Sequence, residues 1–277
     1  MQDAFSYCAE MVRSAHRDRF IATLFAPAHN RDALYALYAF DVEVAQVRDR
    51  AREAAPGEIR LQWWREVLHG ERHGEAMASP VAASLVRTIE AHRLPVNAIL
   101  ALLEARRFDL YDEPMRTVAG LEDYALKTTS AVIAMAAQIL GVDAGAAATP
   151  AGIAYALTEL LVAVPRHAAR RRLYLPIELL DRHGMEVADL FAGRSSPALN
   201  KAAAELRLLA RRHLAVAADR LRALARPALP AFLPIAPVAR TLDRMDRSEL
   251  FAQNALPPWR RQWLIWRAAR NPNRLAC

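Results

Sequence analysis

Glycine, cysteine and lysine are all scarce in this chain. Nine glycines in 277 residues leave little of the turn punctuation that strand-rich folds need, and alanine, the best helix former, is abundant, so helices are expected. The two cysteines, Cys8 and Cys277, stand near opposite ends without ligand-type spacing. That argues against a disulfide framework or a cysteine zinc site and fits a reducing cytoplasm. Lys127 and Lys201 are the only lysines among 37 basic residues, and this arginine bias, with the alanine content, suggests a GC-rich bacterial genome. Runs of about 18 apolar residues, the length of a membrane span, are also missing. The nearest stretches, 131–142 and 153–164, are short and are interrupted by Gln138 and Glu159, so no integral membrane segment is expected. The opening Met1-Gln2-Asp3-Ala4-Phe5 lacks a basic segment followed by an apolar one, so a secretory signal is not expected either.

Apolar residues are plentiful, at 54% of the chain, enough for a substantial core. The net charge of +7 favours anionic partners such as a membrane surface or an acidic protein face. The basic residues are scattered over helical patterns without a zinc-finger or RNP-type motif, so nucleic acid is not an expected partner. Helices are expected over 32–52, entered after Pro27 with Asn30 or Asp32 as cap, and over 62–68, where Trp63, Trp64 and Val67 share a face. Further helices are expected after Ser79-Pro80 and Leu94-Pro95, over 121–140 closed by Gly141, and over 150–164 and 205–224. Pro227, Pro230, Pro234 and Pro237 prevent a single helix there and give a rigid connector too apolar to be a solvated linker. The simplest organisation is one all-α domain over residues 1–277, without internal repeats.

Several residues in this pattern could carry chemistry. Asp41 and Asp49 are two turns apart and could lie on one side of a helix, whereas Glu43 points elsewhere. Glu159 and His167 share a face but stand roughly 12 Å apart along the axis, too far to hold one ion. Arg166, Arg170, Arg171 and Arg172 cluster at a helix end. They could bind an anionic head group, or they could simply complement the helix dipole without a ligand. Trp259, Trp263 and Trp266 recur at i, i+4 and i+7 beside Arg260, Arg261, Arg267 and Arg270. Such a stripe suits a membrane interface or a packed terminal helix, and the large apolar area of three indoles favours core packing.

Three stretches carry a family resemblance: Thr23-Leu24-Phe25-Ala26-Pro27, Tyr35-Ala36-Leu37-Tyr38-Ala39-Phe40 and Arg172-Leu173-Tyr174-Leu175-Pro176. They resemble the squalene/phytoene synthase family, over about residues 20–266. The resemblance implies an isoprenoid-synthase-type helical bundle with a central cavity, in which two acidic clusters hold Mg²⁺ against a prenyl diphosphate. The family writes the first cluster D-x-x-x-D, and here those positions read Ala45 and Asp49. It writes the second D-x-x-E-D ahead of R-x-Y-L-P, and here Ala163, Arg166 and His167 stand at the matching places. Four of the five carboxylates are therefore absent. Asp109, in Arg107-Phe108-Asp109-Leu110-Tyr111, matches a further family aspartate, and Asp112 and Glu113 follow it.

The loss bears directly on chemistry. Two carboxylates one turn apart can share a hard cation with a diphosphate, but Ala45 has no ligand atom, which leaves Asp49 with Asp41 as the only conceivable substitute. A guanidinium at position 166 repels Mg²⁺, and Pro165 is expected to bend or end the helix. Ionising an allylic diphosphate needs electrostatic stabilisation of the leaving group, mainly by metal. Catalytic residues, metal and cofactor are therefore not expected. A prenyl transferase would need Mg²⁺, whereas a metal-free carrier of prenyl diphosphate or lipid could use Arg166, Arg170, Arg171, Arg172, Glu159 and Asp109.

Within the superfamily, Ala39-Phe40-Asp41-Val42-Glu43-Val44-Ala45-Gln46-Val47-Arg48-Asp49, Ile59-Arg60-Leu61-Gln62-Trp63-Trp64 and Val164-Pro165-Arg166-His167 are similar to a branch of mitochondrial complex I assembly factors that keep the fold without the acids. That likeness implies a non-catalytic assembly or binding factor with respiratory complex I subunits as partners. It would act in the cytoplasm or at the face of the inner membrane. The branch carries targeting segments that this sequence does not show.

Overall fold

The computed structural model describes residues 4–50, 53–111, 113–252 and 254–275, so Asp112 and Cys277 lie outside the described residues. Among those residues every regular element is helical. Contacts gather the chain into two compact units. One comprises Met1–Tyr111, Ala131–Gly145 and Leu224–Pro234, and the other Asp112–Ser130, Ala146–Ala223 and Ile235–Cys277.

The first unit is organised around the Ala28–Ala45 helix, which is buried without interruption from Ala33 to Val44. A helix buried on all sides belongs at the centre of a core, and the helices Ala4–Ala15, Pro80–His92 and Ala131–Ile139 pack against it. Phe40 meets Trp64 edge to face at 4.9 Å between centroids, joining the helix to Ala54–Leu68. The helix starts directly after Pro27 with no side-chain cap. Asn30, expected as a cap, is instead drawn inward, where its Nδ2 donates to the Ile139 carbonyl at 2.7 Å. Ser79 does cap the Pro80–His92 helix, its Oγ accepting from the Ala82 amide.

The helix expected over 32–52 is divided. It ends at Ala45, Gln46 adopts φ −92° and ψ 0°, and a separate turn, Val47–Arg50, follows. The carbonyls of Gln46 and its neighbours are satisfied by tighter local bonds such as Asp49 N to Gln46 O at 3.0 Å. Asp49 faces solvent.

In the second unit the Gly145–Ala169 helix continues through Pro150 and Pro165. Pro165 was expected to bend or end it, and the helix does not end there but four residues later. A proline removes one backbone bond, and here it does so within the last turns, where the chain closes firmly. Arg172 N bonds the His167 carbonyl and Arg171 N the Ala168 carbonyl, both at 2.9 Å, the two bonds of a Schellman cap. This helix is also longer than the sequence pattern suggested. By length and composition it could cross a bilayer, with a mean hydropathy of 1.5 over its best window, yet 67% of that window is buried inside the protein, as befits a core helix. Gly152 makes close approach possible, because a Cβ there would sit 2.4 Å from Ser130 Cα.

The helix expected over 121–140 is likewise interrupted. Val118–Ala125 and Ala131–Ile139 are separated by a π-helical turn, Leu126–Ser130, in which Thr128 Oγ1 donates to the Tyr124 carbonyl at 2.6 Å and competes with the regular ladder. The proline-rich stretch forms the single turns Arg226–Ala228, Leu229–Phe232 and Leu233–Ile235, with Phe232 and Leu233 fully buried.

Candidate functional site

The first acidic position lies in the first unit, where Asp41 is the buried acid. Its carboxylate pairs with the Arg19 guanidinium and receives Arg106 Nη2 at 3.3 Å. Arg106 also reaches Asp109 Oδ2 at 3.3 Å. Arg19, Arg106, Asp41 and Asp109 thus share one cluster whose side chains are at most 15% exposed. Burial would raise the Asp41 carboxyl above its ordinary range, but Arg19 and Arg106 override it and hold it at about 2. The same Arg19 lies 5.1 Å from the Tyr38 ring, and burial pushes the Tyr38 hydroxyl up to about 12. Asp41, the one substitute imagined for the missing ligand, is therefore already neutralised, and it shares no continuous helix with Asp49. Asp109 is consumed by the same cluster. Glu43, also buried, pairs with Arg60, whose guanidinium rests on the Trp63 ring at 4.2 Å.

The second acidic position lies in the second unit. Ala163 and Arg166 fall near the end of the Gly145–Ala169 helix, and Arg166 is exposed. Glu159 does not turn toward His167. It accepts from Arg261 Nη2 at 2.9 Å, a residue of the Pro258–Arg270 helix. His167 stacks obliquely on Tyr174 at 4.7 Å. The four arginines expected to act together differ in exposure. Arg170 and Arg171 are exposed, Arg172 is half-buried, and Arg171 adopts a left-handed φ of 54° with its guanidinium 5.5 Å from the Phe191 ring.

A small cleft of about 200 Å³, part of it open to solvent, lies at this helix end between His167, Arg172, Tyr174 and the apolar side chains of Leu160, Leu173 and Leu190. The backbone around it is fixed by the Arg-Leu-Tyr-Leu-Pro segment, where Met115 N donates to the Leu173 carbonyl at 3.1 Å and Ile177 N to the Met115 carbonyl at 2.9 Å. Its size falls below the roughly 300–1,000 Å³ of ordinary small-molecule pockets.

These residues do not fit Mg²⁺. Hard divalent cations need several oxygen ligands, and among the described residues no three of His, Cys, Asp and Glu come together in a metal-binding group. Sequence reading missed the arginines that occupy the remaining acids: Arg19, Arg60, Arg106 and Arg261. The available signal was Asp41 and Glu43 themselves, two acids inside the otherwise apolar run 33–44, since a charge carried into a core requires a partner.

The tryptophan stripe is corrected as well. Packing into the core was the favoured reading, yet Trp259, Trp263 and Trp266 are 68%, 48% and 43% exposed, while Leu264, Ile265 and Ala268 are buried. The smaller aliphatic residues form the inward face, and the indoles lie outside.

The sequence profile of squalene/phytoene synthases matches residues 12–267. Assembly factor 6 of NADH dehydrogenase (ubiquinone) complex I from Bos taurus is 30% identical over 230 residues, covering 82% of this chain and 69% of that protein. A phytoene synthase from Thermus thermophilus is also 30% identical, over 201 residues that cover 71% of this chain and 68% of that enzyme. Among solved structures, a dehydrosqualene synthase in complex with a ligand superposes with a TM-score of 0.80 at 20% identity, covering 96% of this chain and 95% of that one. The fold is therefore the all-α synthase fold. Percentage identity does not separate the assembly factor from the synthase; the acidic positions must do so.

Proposed function

Because the chain belongs to the squalene/phytoene synthase family yet keeps one of the five expected motif acids, we propose that it is a non-catalytic member that assists assembly of a respiratory NADH:quinone oxidoreductase. One observation carries the loss of catalysis. Asp41, Glu43, Asp109 and Glu159 are each paired with arginine inside their own unit. Asp41 and Asp109, held in the buried cluster with Arg19 and Arg106, would have to give up those charged partners to gather around a metal. Prenyl transfer requires a leaving diphosphate to be stabilised as it departs, mainly by metal, and of the five motif positions only Asp49 keeps a carboxylate, the others being Ala45, Ala163, Arg166 and His167. The assembly role is supported by likeness to complex I assembly factor 6 over four-fifths of the chain. The partner would be a subunit or assembly intermediate of that oxidoreductase, met in the cytoplasm or at the inner face of a bacterial membrane.

Deleting the gene and resolving the oxidoreductase on native gels tests this reading. Loss of the mature complex and of NADH:quinone activity, restored by the wild-type gene and by an Asp49→Asn variant, is expected. Normal assembly and activity in the deletion strain would overturn it. The alternative, head-to-head condensation of prenyl diphosphates, has in its favour the equal identity to a phytoene synthase. It requires Asp49 for activity and so predicts pyrophosphate release from prenyl diphosphates that Asp49→Asn abolishes, with no assembly defect in the deletion strain.

A further inference from the structure

The Pro258–Arg270 helix has two opposed faces. At about 100° per residue, Leu264, Ile265 and Ala268 project to one side, and these are buried. Trp259, Trp263 and Trp266 project within about 60° of one another on the opposite side, and all three are exposed. No modest repacking of the helix could bury both faces. The outer face is also cationic. The helix carries Arg260, Arg261, Arg267 and Arg270 and no acid, and Arg274 follows in the next turn. Arg261 is occupied by Glu159 on the inner side. Arg267 and Arg270 lie over indoles, 4.7 Å from the Trp263 ring and 4.2 Å from the Trp266 ring. Each guanidinium is thereby held beside the ring system that would enter an apolar layer.

Three exposed indoles in a row are an unusual expense of apolar surface for a face that only meets water. Indole rings sit at the boundary between lipid head groups and acyl chains, and arginine at the same depth meets phosphate. We propose that this helix is a membrane-docking surface that lies flat on an anionic bilayer, its three tryptophans at head-group depth and Arg260, Arg267 and Arg270 against lipid phosphates. Charge complementarity selects the occupant. A second copy would bring the same arginine-rich, acid-free helix against this one, and like charges would oppose each other. The proposal gives the assembly reading its membrane contact and rests on that reading only for where in the cell the bilayer is found. Vesicle binding is measured without the oxidoreductase, so either can fail alone.

The test uses the full chain with vesicles of phosphatidylcholine alone and of phosphatidylcholine with 30% phosphatidylglycerol. Sedimentation with the anionic vesicles, at least tenfold stronger than with the neutral ones and weakened by salt, is expected. Brominated lipids should quench the intrinsic fluorescence of the wild-type protein, which requires no variant. The combined change of Trp259, Trp263 and Trp266 to Ser should reduce anionic-vesicle binding at least tenfold while leaving the far-ultraviolet circular dichroism unchanged, because the changed face is opposite the core. Arg260, Arg267 and Arg270 changed to Gln should abolish the preference for anionic lipid. Absence of binding, binding without bromine quenching, or binding undiminished in the tryptophan variant would overturn the proposal. So would a concentration-dependent dimer that the tryptophan changes dissolve, because the face would then be covered by a second copy.

Discussion

Replacing Asp41 with Asn should destabilise the protein severely, although Asp41 is assigned no catalytic role. The carboxyl is held at about 2 against an ordinary 3.8. At about 1.4 kcal/mol for each pH unit, that depression amounts to about 2–3 kcal/mol of stability from ionisation alone. The substitution goes further, removing the charged partner of Arg19, which is buried to the same degree as Asp41. Removing one partner of a buried pair costs about 3–5 kcal/mol. For a chain of this size that is a fall in melting temperature of about 6–20 °C. The sign with pH follows from the depressed value. The contribution is present above 3.8, the unfolded value, and is lost as the pH falls through about 2. Urea titrations followed by circular dichroism should therefore show the full gap between wild type and variant at pH 7 and a narrowing gap between about pH 4 and pH 2. Changing the pair together, Arg19→Met with Asp41→Leu, should recover most of the loss, because no buried charge is then orphaned. An Asp41→Asn protein within about 1 kcal/mol of wild type at pH 7 would refute the assignment of this cluster as a buried, ion-paired core element.

Three further substitutions test the local structure of the second unit. Gly152→Ala places a Cβ 2.4 Å from Ser130 Cα and 2.5 Å from its amide nitrogen. Backbone cannot swing aside as a side chain can, so a loss of about 1–3 kcal/mol in chemical denaturation is expected, and an unchanged midpoint would show that the helices are not in contact there. Arg171→Gly relieves the left-handed φ of 54° at the Schellman cap and should raise stability by about 0.5–1 kcal/mol, provided the Phe191 stacking contributes little; a loss would show that it contributes more. Glu159→Gln breaks a pair whose carboxylate is 37% exposed, so less than about 1 kcal/mol is expected, and a larger loss would mark Glu159 as structurally critical.

The all-α character was legible from scarce glycine, abundant alanine and helical periodicity, and the proline rules correctly marked Ser79-Pro80 as a helix start. Where one helix stops and another begins was not legible. Gln46 divides the 32–52 pattern without a glycine or proline to announce it, and the π turn at Leu126–Ser130 likewise has no glycine or proline to mark it. Pro165 failed as a breaker because the helix end is closed by bonds from Arg171 and Arg172 that periodicity does not reveal. At the candidate site the missing acids could be counted directly, since absence of a carboxylate needs no coordinates. The fate of Asp41, Glu43 and Glu159 could not, because their partners lie 17 to 102 residues away in sequence. The tryptophan stripe misled for a different reason. Residue type favoured burial, but the Pro258–Arg270 helix has one inward face, and Leu264, Ile265 and Ala268 occupy it.

The central claim is that the two motif helices can no longer promote departure of a diphosphate. The most direct measurement incubates the purified chain with farnesyl or geranylgeranyl diphosphate and millimolar Mg²⁺ and follows pyrophosphate release, with an Asp49→Asn variant alongside. No release above the protein-free rate, identical in both proteins, is the predicted result. Sustained turnover by the wild type that Asp49→Asn abolishes would contradict it.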